Sequence, residues 1–160
     1  MAIYLPLYIK TSVKMGGAYS KNIEYDDPFD TKDSYGLWVK HAPFTILPKA
    51  KGLISQTWKD EDGDDVFLSE AGAKCEAYDW KVDFVYLEND GMAHVRIADF
   101  VNRIRGRWLR IHDSYTKMTR DGVYVSEFDQ EPRFKRRGDT DLVIFSVTFR
   151  VNNPNFEEVF

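Results

Sequence analysis

Alternation of apolar and polar residues is most regular in two stretches of the chain, residues 78–88 and 141–151. A period of two is typical of a β-strand with one buried face. Both stretches are therefore predicted to be long strands. In the first, "YDWKVDFVYLE", the apolar face consists of Trp80, Val82, Phe84 and Tyr86. In the second, "DLVIFSVTFRV", it consists of Val143, Phe145, Val147, Phe149 and Val151.

The opposite face of the second stretch changes character along its length. It begins with Leu142 and Ile144 and continues with Ser146 and Thr148. This pattern predicts a strand that is deeply buried at its start and one-sided later.

Between these strands the period changes to that of a helix. In "MAHVRIADFVNRIRG" (92–106), apolar residues fall at i, i+3, i+4 and i+7, which makes one stripe on a helix. The stripe consists of Ile97, Phe100, Val101 and Ile104. Gly106 follows as a C-terminal stop, and Arg103 and Arg105 suit the negative end of the helix dipole. A helix near residues 93–105 is predicted.

The remaining β-like stretches are shorter and are separated by turn-forming residues. They cover residues 3–14, 37–48, 52–58, 65–70, 107–113 and 122–128. Residues 16–36 have turn chemistry throughout and predict a long loop, and residues 152–160 predict an extended C-terminal tail. We expect a single β-rich domain over residues 1–160, a β-sandwich or distorted barrel with one packed helix.

Composition agrees with this expectation. Aromatic residues make up 15% of the 160 residues, which favours strands, and 30% are charged, which is typical of globular proteins. The single cysteine, Cys75, excludes an internal disulfide framework. The N-terminal sequence resembles neither a secretory signal nor a membrane span, so folding in a cytoplasm is expected.

The stretch "WKDEDGDDVF" (58–67) looks most like a site, because residues 60–65 hold five carboxylates around Gly63. With Gly63 at position 6 of a helix–loop–helix calcium loop, Trp58 and Ser69 fall at ligand positions 1 and 12, and both are unsuitable. Asp-Gly between two β-like stretches indicates a hairpin turn instead. Weak cation binding remains the alternative.

Charge is divided unevenly along the chain. Residues 1–90 carry 10 basic and 16 acidic residues, whereas residues 91–160 carry 12 basic and 10 acidic residues. The basic residues of the second half form two clusters, at 103–110 and in "RFKRR" (133–137). Nearby aromatic residues are compatible with single-stranded nucleic-acid binding. The overall charge of −4 instead favours a charged loop that meets an acidic neighbour.

Sequence signals for catalysis are weak. His41, His94 and His112 lie in separate elements without the spacing of metal ligands, and Cys75 has no local base. The pair His112-Asp113 is found in metal phosphohydrolases, but further ligands are missing. We therefore predict no catalytic residue, no metal site and no cofactor.

The C-terminal half is similar to tail proteins of long-tailed bacteriophages. The residues that carry the resemblance are "VDFVYLE", "IADFVNRIRGRWLRIHDSYTKMTRDGVYV" and "DLVIFSVTFRVNNP". The order strand, amphipathic helix, strand, basic loop and final long strand resembles that of tail-tube, distal-tail and tail-completion proteins. The resemblance is greatest to those of phages and prophages of gut Bacteroides-like bacteria. The resemblance implies a β-sandwich or distorted barrel whose copies join into rings around a lumen that conducts DNA.

A structural virion component follows from this resemblance, a tail or neck ring subunit without enzymatic activity. Its partners would be copies of itself and neighbouring tail or neck proteins, with non-specific proximity to DNA in the lumen and no membrane. It would be found in the host cytoplasm during assembly and then in the virion. The residues predicted at subunit contacts are Asp60, Asp62, Asp64, Asp65, Arg133, Lys135, Arg136 and Arg137.

The alternative interpretation is a monomeric β-sandwich that binds carbohydrate. In that case Trp38, Trp58 or Trp80 would form a flat aromatic platform. Solvent-facing tryptophans would favour this interpretation, and buried ones would count against it.

Overall fold

The computed structural model describes residues 5–43, 51, 54–57, 59, 62–67, 75–153 and 156–157, with the backbone alone for 54–57, 64–67 and 156–157. These residues form eleven strands and two helices. The strands are β1 (Leu7–Thr11), β2 (Phe29–Asp30), β3 (Leu37–His41), β4 (Ile54–Thr57), β5 (Asp64–Phe67), β6 (Tyr78–Glu88), β7 (Leu109–Asp113), β8 (Thr119–Phe128), β9 (Arg133–Arg137), β10 (Thr140–Val151) and β11 (Phe156–Glu157). The helices are α1 (Thr31–Tyr35) and α2 (Ala93–Ile104).

Nine of these strands form one antiparallel sheet. Seven of them follow one another in the order β2-β1-β7-β8-β10-β6-β3. Strand β9 pairs with the first half of β10, and β11 pairs with β8. The sheet curls so far that its margins meet, where the Val39 N–H donates to the Leu5 carbonyl at 3.3 Å. The fold is mainly β and has the shape of a half-barrel, which confirms the predicted class.

The two long strands form the centre of the sheet. Strands β6 and β10 pair over their whole lengths, from Asp141 opposite Glu88 to Val151 opposite Tyr78. Their predicted apolar faces point together into the core, where the ring centroids of Phe84 and Phe145 lie 5.6 Å apart. The prediction for these faces is confirmed. Burial of this aromatic and β-branched surface is the main stabilising contribution to the fold.

Helix α2 packs on the concave side of the sheet, as its apolar stripe predicts. Phe100 and Ile104 are fully buried, and the Phe100 ring meets the rings of Phe84 and Tyr35. The helix ends before Gly106, which has a φ of +69°. No described helix is long and apolar enough to cross a membrane.

The segment predicted as a loop over residues 16–36 contains regular structure at its end. Strand β2 and helix α1 occupy residues 29–35, so the prediction is wrong there. Asp30 caps α1, because its carboxylate accepts from the N–H groups of Lys32 and Asp33, and Gly36 closes the helix with a φ of +71°. Five residues are too few to give a helical period.

Two further segments differ from their predictions. "RFKRR" was predicted to be a charged loop, but it is strand β9. The C-terminal tail was predicted to be extended, and within it Phe156 and Glu157 form a short strand that pairs with Arg120 and Thr119 of β8. The start of β10 is less buried than predicted, because Leu142 and Ile144 are only partly covered.

Strands β4 and β5 form a separate two-stranded sheet. Ile54 pairs with Phe67 and Thr57 pairs with Asp64, which confirms the hairpin predicted around the acidic stretch. Gly63 has a φ of +73°, as a turn of this kind requires. Residues 54–67 are called the acidic ribbon below.

Candidate functional site

The outer face of the sheet carries a patch of apolar residues beside a row of cations. Strand register places the patch residues next to one another: Trp38 lies opposite Val85, Val85 opposite Ile144, and Leu87 opposite Leu142. Leu87 is 52% exposed, Trp38, Leu142 and Ile144 are partly buried, and Val85 is buried. These five residues are called the outer patch.

Strand β9 adds the cations along one margin of the outer patch. Arg133 pairs with Ile144, Lys135 with Leu142, and Arg137 with Thr140. Since residues two apart share a face of a strand, these three side chains lie on the same face as the outer patch. They are exposed, and none has an ion-pair partner in the described part of the chain. Together they are called the basic row.

A further cation lies on the side of the outer patch opposite the basic row. The Lys32 Nζ atom sits 4.7 Å from the centre of the Trp38 ring, in the range of a cation–π contact. The outer patch is thus bordered by positive charge on both sides. An exposed apolar patch with a charged margin is typical of a protein–protein contact surface.

Arg136 points to the face of β9 opposite the basic row and forms an ion pair within its own chain. Its Nε and Nη2 atoms donate to the two carboxylate oxygens of Asp141 at 2.5 and 3.0 Å. The Asp141 side chain is buried. The hydrogen bond and charge of Arg136 lower the Asp141 pKa. The Arg136–Asp141 bond joins the two strands of the β9–β10 hairpin.

Farther along β6 and β10 the outer face becomes polar. Ser146 donates to Asp83 at 2.6 Å, and Arg150 pairs with Asp79 at 3.1 Å. A shallow groove of about 580 Å³ runs beside Ser146, and its walls include Asp83, Asp129, Glu131, Lys40 and Lys81. The groove walls thus carry both acidic and basic side chains.

The predicted contact residues divide into three groups. Arg133, Lys135 and Arg137 come together in the basic row, and Arg136 is separated from them. Asp62 is exposed in the turn of the acidic ribbon, and Asp64 and Asp65 are the first residues of β5. Asp60 lies outside the described residues.

The tryptophans do not form one platform. Trp80 is 2% exposed and packs on Phe149, so it belongs to the core. Trp38 is partly buried in the outer patch, and Trp58 lies outside the described residues. Among the described residues, Trp38 and Trp80 do not form the row of exposed tryptophans that the carbohydrate interpretation requires.

The histidines are placed apart from one another. His112 shares a hydrogen bond with Thr119 at 2.9 Å, and Asp113 accepts from the Tyr115 N–H in the turn after β7. His94 contacts the Phe134 ring. Among the described residues no group of three or more His, Cys, Asp or Glu could hold a metal ion.

A buried carboxylate that holds the long loop to the sheet was missed by the sequence analysis. Asp121 of β8 is 2% exposed and accepts from the hydroxyls of Tyr19 and Tyr25, each at 2.6 Å. Arg110 pairs with it at 3.3 Å. These four residues are called the Asp121 cluster. Two loop tyrosines beside an acidic strand residue are too common a pattern to predict it.

The pKa values in the Asp121 cluster follow from burial and hydrogen bonding. Burial opposes ionisation of Asp121, but the donors Tyr19, Tyr25 and Arg110 outweigh it, so the Asp121 pKa is lowered. Burial and the bond to Asp121 raise the pKa of Tyr25. Asp121 is therefore ionised and Tyr25 is protonated at neutral pH.

The described fold resembles one from a phage. SPP1 Dit (gp 19.1), whose crystal structure is called a paradigm of the hub adsorption apparatus in Gram-positive infecting phages, superposes with a TM-score of 0.50 at 12% identity. The superposition covers 92% of this chain. The match spans 50% of the SPP1 Dit chain. No family model and no curated protein matches the sequence.

Proposed function

We propose that this protein is a structural subunit of a phage tail or neck, which works by joining copies of itself into a ring and docking on neighbouring tail proteins. The fold shared with SPP1 Dit supports a phage component in general. The resemblance of the C-terminal half to tail-tube, distal-tail and tail-completion proteins supports the ring. An origin in Bacteroides-like bacteria rests on that resemblance alone.

The observation that carries the proposal is the outer patch beside the basic row. Leu87 is exposed in the outer patch and Trp38, Leu142 and Ile144 are partly exposed, and contact of such apolar surface with water is unfavourable. Coverage by another protein removes that cost, and the basic row would select an acidic partner surface.

Assembly, and no covalent chemistry, is the function proposed. The outer patch is apolar and the basic row is cationic, and side chains of these two kinds suit contact with another protein surface. DNA would pass near the protein only as the content of a ring lumen. The virion, after assembly in the host cytoplasm, would be its final location.

Self-assembly is tested by measuring particle mass with light scattering over a hundredfold range of protein concentration. A closed ring gives one fixed multiple of the 18.7 kDa chain as concentration rises, and electron microscopy of stained particles would show an annulus. A monomer at every concentration would contradict self-assembly.

A further inference from the structure

Strand β9 has an open edge. It pairs with β10 on one side, from Arg133 opposite Ile144 to Arg137 opposite Thr140. In the described part of the chain, no strand pairs with its other side, and all five of its residues are exposed. Unpaired N–H and C=O groups along such an edge are a template for an added strand.

The acidic ribbon also has strand edges that no described strand pairs with. Its strands β4 and β5 pair with each other, and among the described residues neither pairs with a third strand. A two-stranded sheet by itself is marginally stable in water, so a third strand would stabilise it. Strand β5 is four residues long, close to the five residues of β9.

Charge selects which surfaces combine. The ribbon has five carboxylates over residues 60–65, and Asp64 and Asp65 open β5. The basic row presents three cations that have no ion-pair partner in the described structure. Two β9 edges placed together would bring one basic row near another, which is unfavourable. Symmetric β9–β9 pairing is therefore disfavoured.

We infer that β5 of a second copy of this chain adds to the open edge of β9, so that the acidic start of β5 lies beside the basic row. The inference rests on the proposed function, since it states how the copies join. Because the two surfaces differ, the contact is heterologous, and repeated contacts produce a ring or a filament.

A charge-swap experiment tests this contact. The row variant carries Arg133→Glu, Lys135→Glu and Arg137→Glu, and the ribbon variant carries Asp62→Lys, Asp64→Lys and Asp65→Lys. A control variant reverses three exposed cations elsewhere, with Lys14→Glu, Lys21→Glu and Arg105→Glu. Circular dichroism spectra confirm that each variant folds, and light scattering gives the concentration at which half of the chains are assembled.

We expect the row and ribbon variants each to need at least a hundredfold higher concentration than the wild type, whereas the control stays within a few fold. An equal mixture of the two variants regains assembly, because each offers the other a matched pair of surfaces. A chain that carries both sets of changes also assembles.

Other outcomes would overturn the inference in distinguishable ways. Assembly of the double variant without assembly of the mixture means that the ribbon covers β9 of its own chain. Wild-type assembly in both single variants means that the cations only guard the edge against aggregation. A wild type that never assembles removes the proposed function as well. If a reversed variant fails to fold, glutamine at the same three positions replaces it, with a smaller loss of assembly expected.

Discussion

Two groups of charged residues on this protein differ in how their charges are satisfied. In the Asp121 cluster, a buried carboxylate receives two tyrosine hydroxyls and an arginine, all from the same chain. In the basic row, three cations stand in solvent along an open strand edge. A charge that is paired within its own chain stabilises the monomer. A charge without such a pair is available to a partner protein. The two groups should therefore respond to mutation in opposite ways.

The largest effect on stability is expected from Asp121→Ala. The substitution leaves Arg110 and two tyrosine hydroxyls without their acceptor and releases the loop they hold. Breaking a buried ion pair in this way costs about 3–5 kcal/mol of unfolding free energy. Denaturant unfolding measures it. Asp99→Ala, on the exposed side of α2, is the matched control and should stay within about 0.5 kcal/mol. Equal losses in the two variants would contradict the role assigned to Asp121.

Acid should weaken the monomer next. Because the Asp121 and Asp141 pKa values are lowered in the folded state, both carboxylates bind protons more readily when the chain unfolds. Their stabilisation is present above the unfolded value of about 3.9 and is lost as pH falls through the lower folded values. The melting temperature should therefore fall as the pH is lowered below about 4. In Asp121→Asn that drop should be shallower, and an unchanged slope would contradict the assignment.

A smaller effect separates two neighbours on β9. Arg136→Ala removes both donors from buried Asp141, so its melting temperature should fall by several degrees. Arg137→Ala removes a solvated cation and should leave the melting temperature unchanged within error. Thermal unfolding measured by circular dichroism compares the two. Similar values would mean that the strand does not divide its arginines between the monomer and a partner.

The long periodic elements could be predicted from sequence because their patterns are local. Strands β6 and β10 and helix α2 each contain at least four apolar residues at regular spacing, and burial follows that spacing. Helix α1 is too short for a period, although its caps Asp30 and Gly36 are visible in the sequence. Strand β9 has one apolar residue in five, so nothing in its pattern distinguishes it from a charged loop.

The candidate site could be predicted only in part. The cations of "RFKRR" are conspicuous in the sequence, but their division into a solvent face and Arg136 becomes visible only once the segment is known to be a strand. The outer patch draws residues from β3, β6 and β10, and the register of those strands brings them together. Register between distant strands depends on the whole fold and has no local signal.

Gly122 is a junction between three parts of the chain. Its φ of +63° favours glycine, and a β-carbon there would meet Tyr19 and Asn153 at 3.1 Å. Its carbonyl also accepts from the Asn152 N–H. Any side chain at this position would displace the loop tyrosine and the segment after β10 together. One residue without a side chain therefore lets the N-terminal loop and the segment after β10 approach the same point of β8.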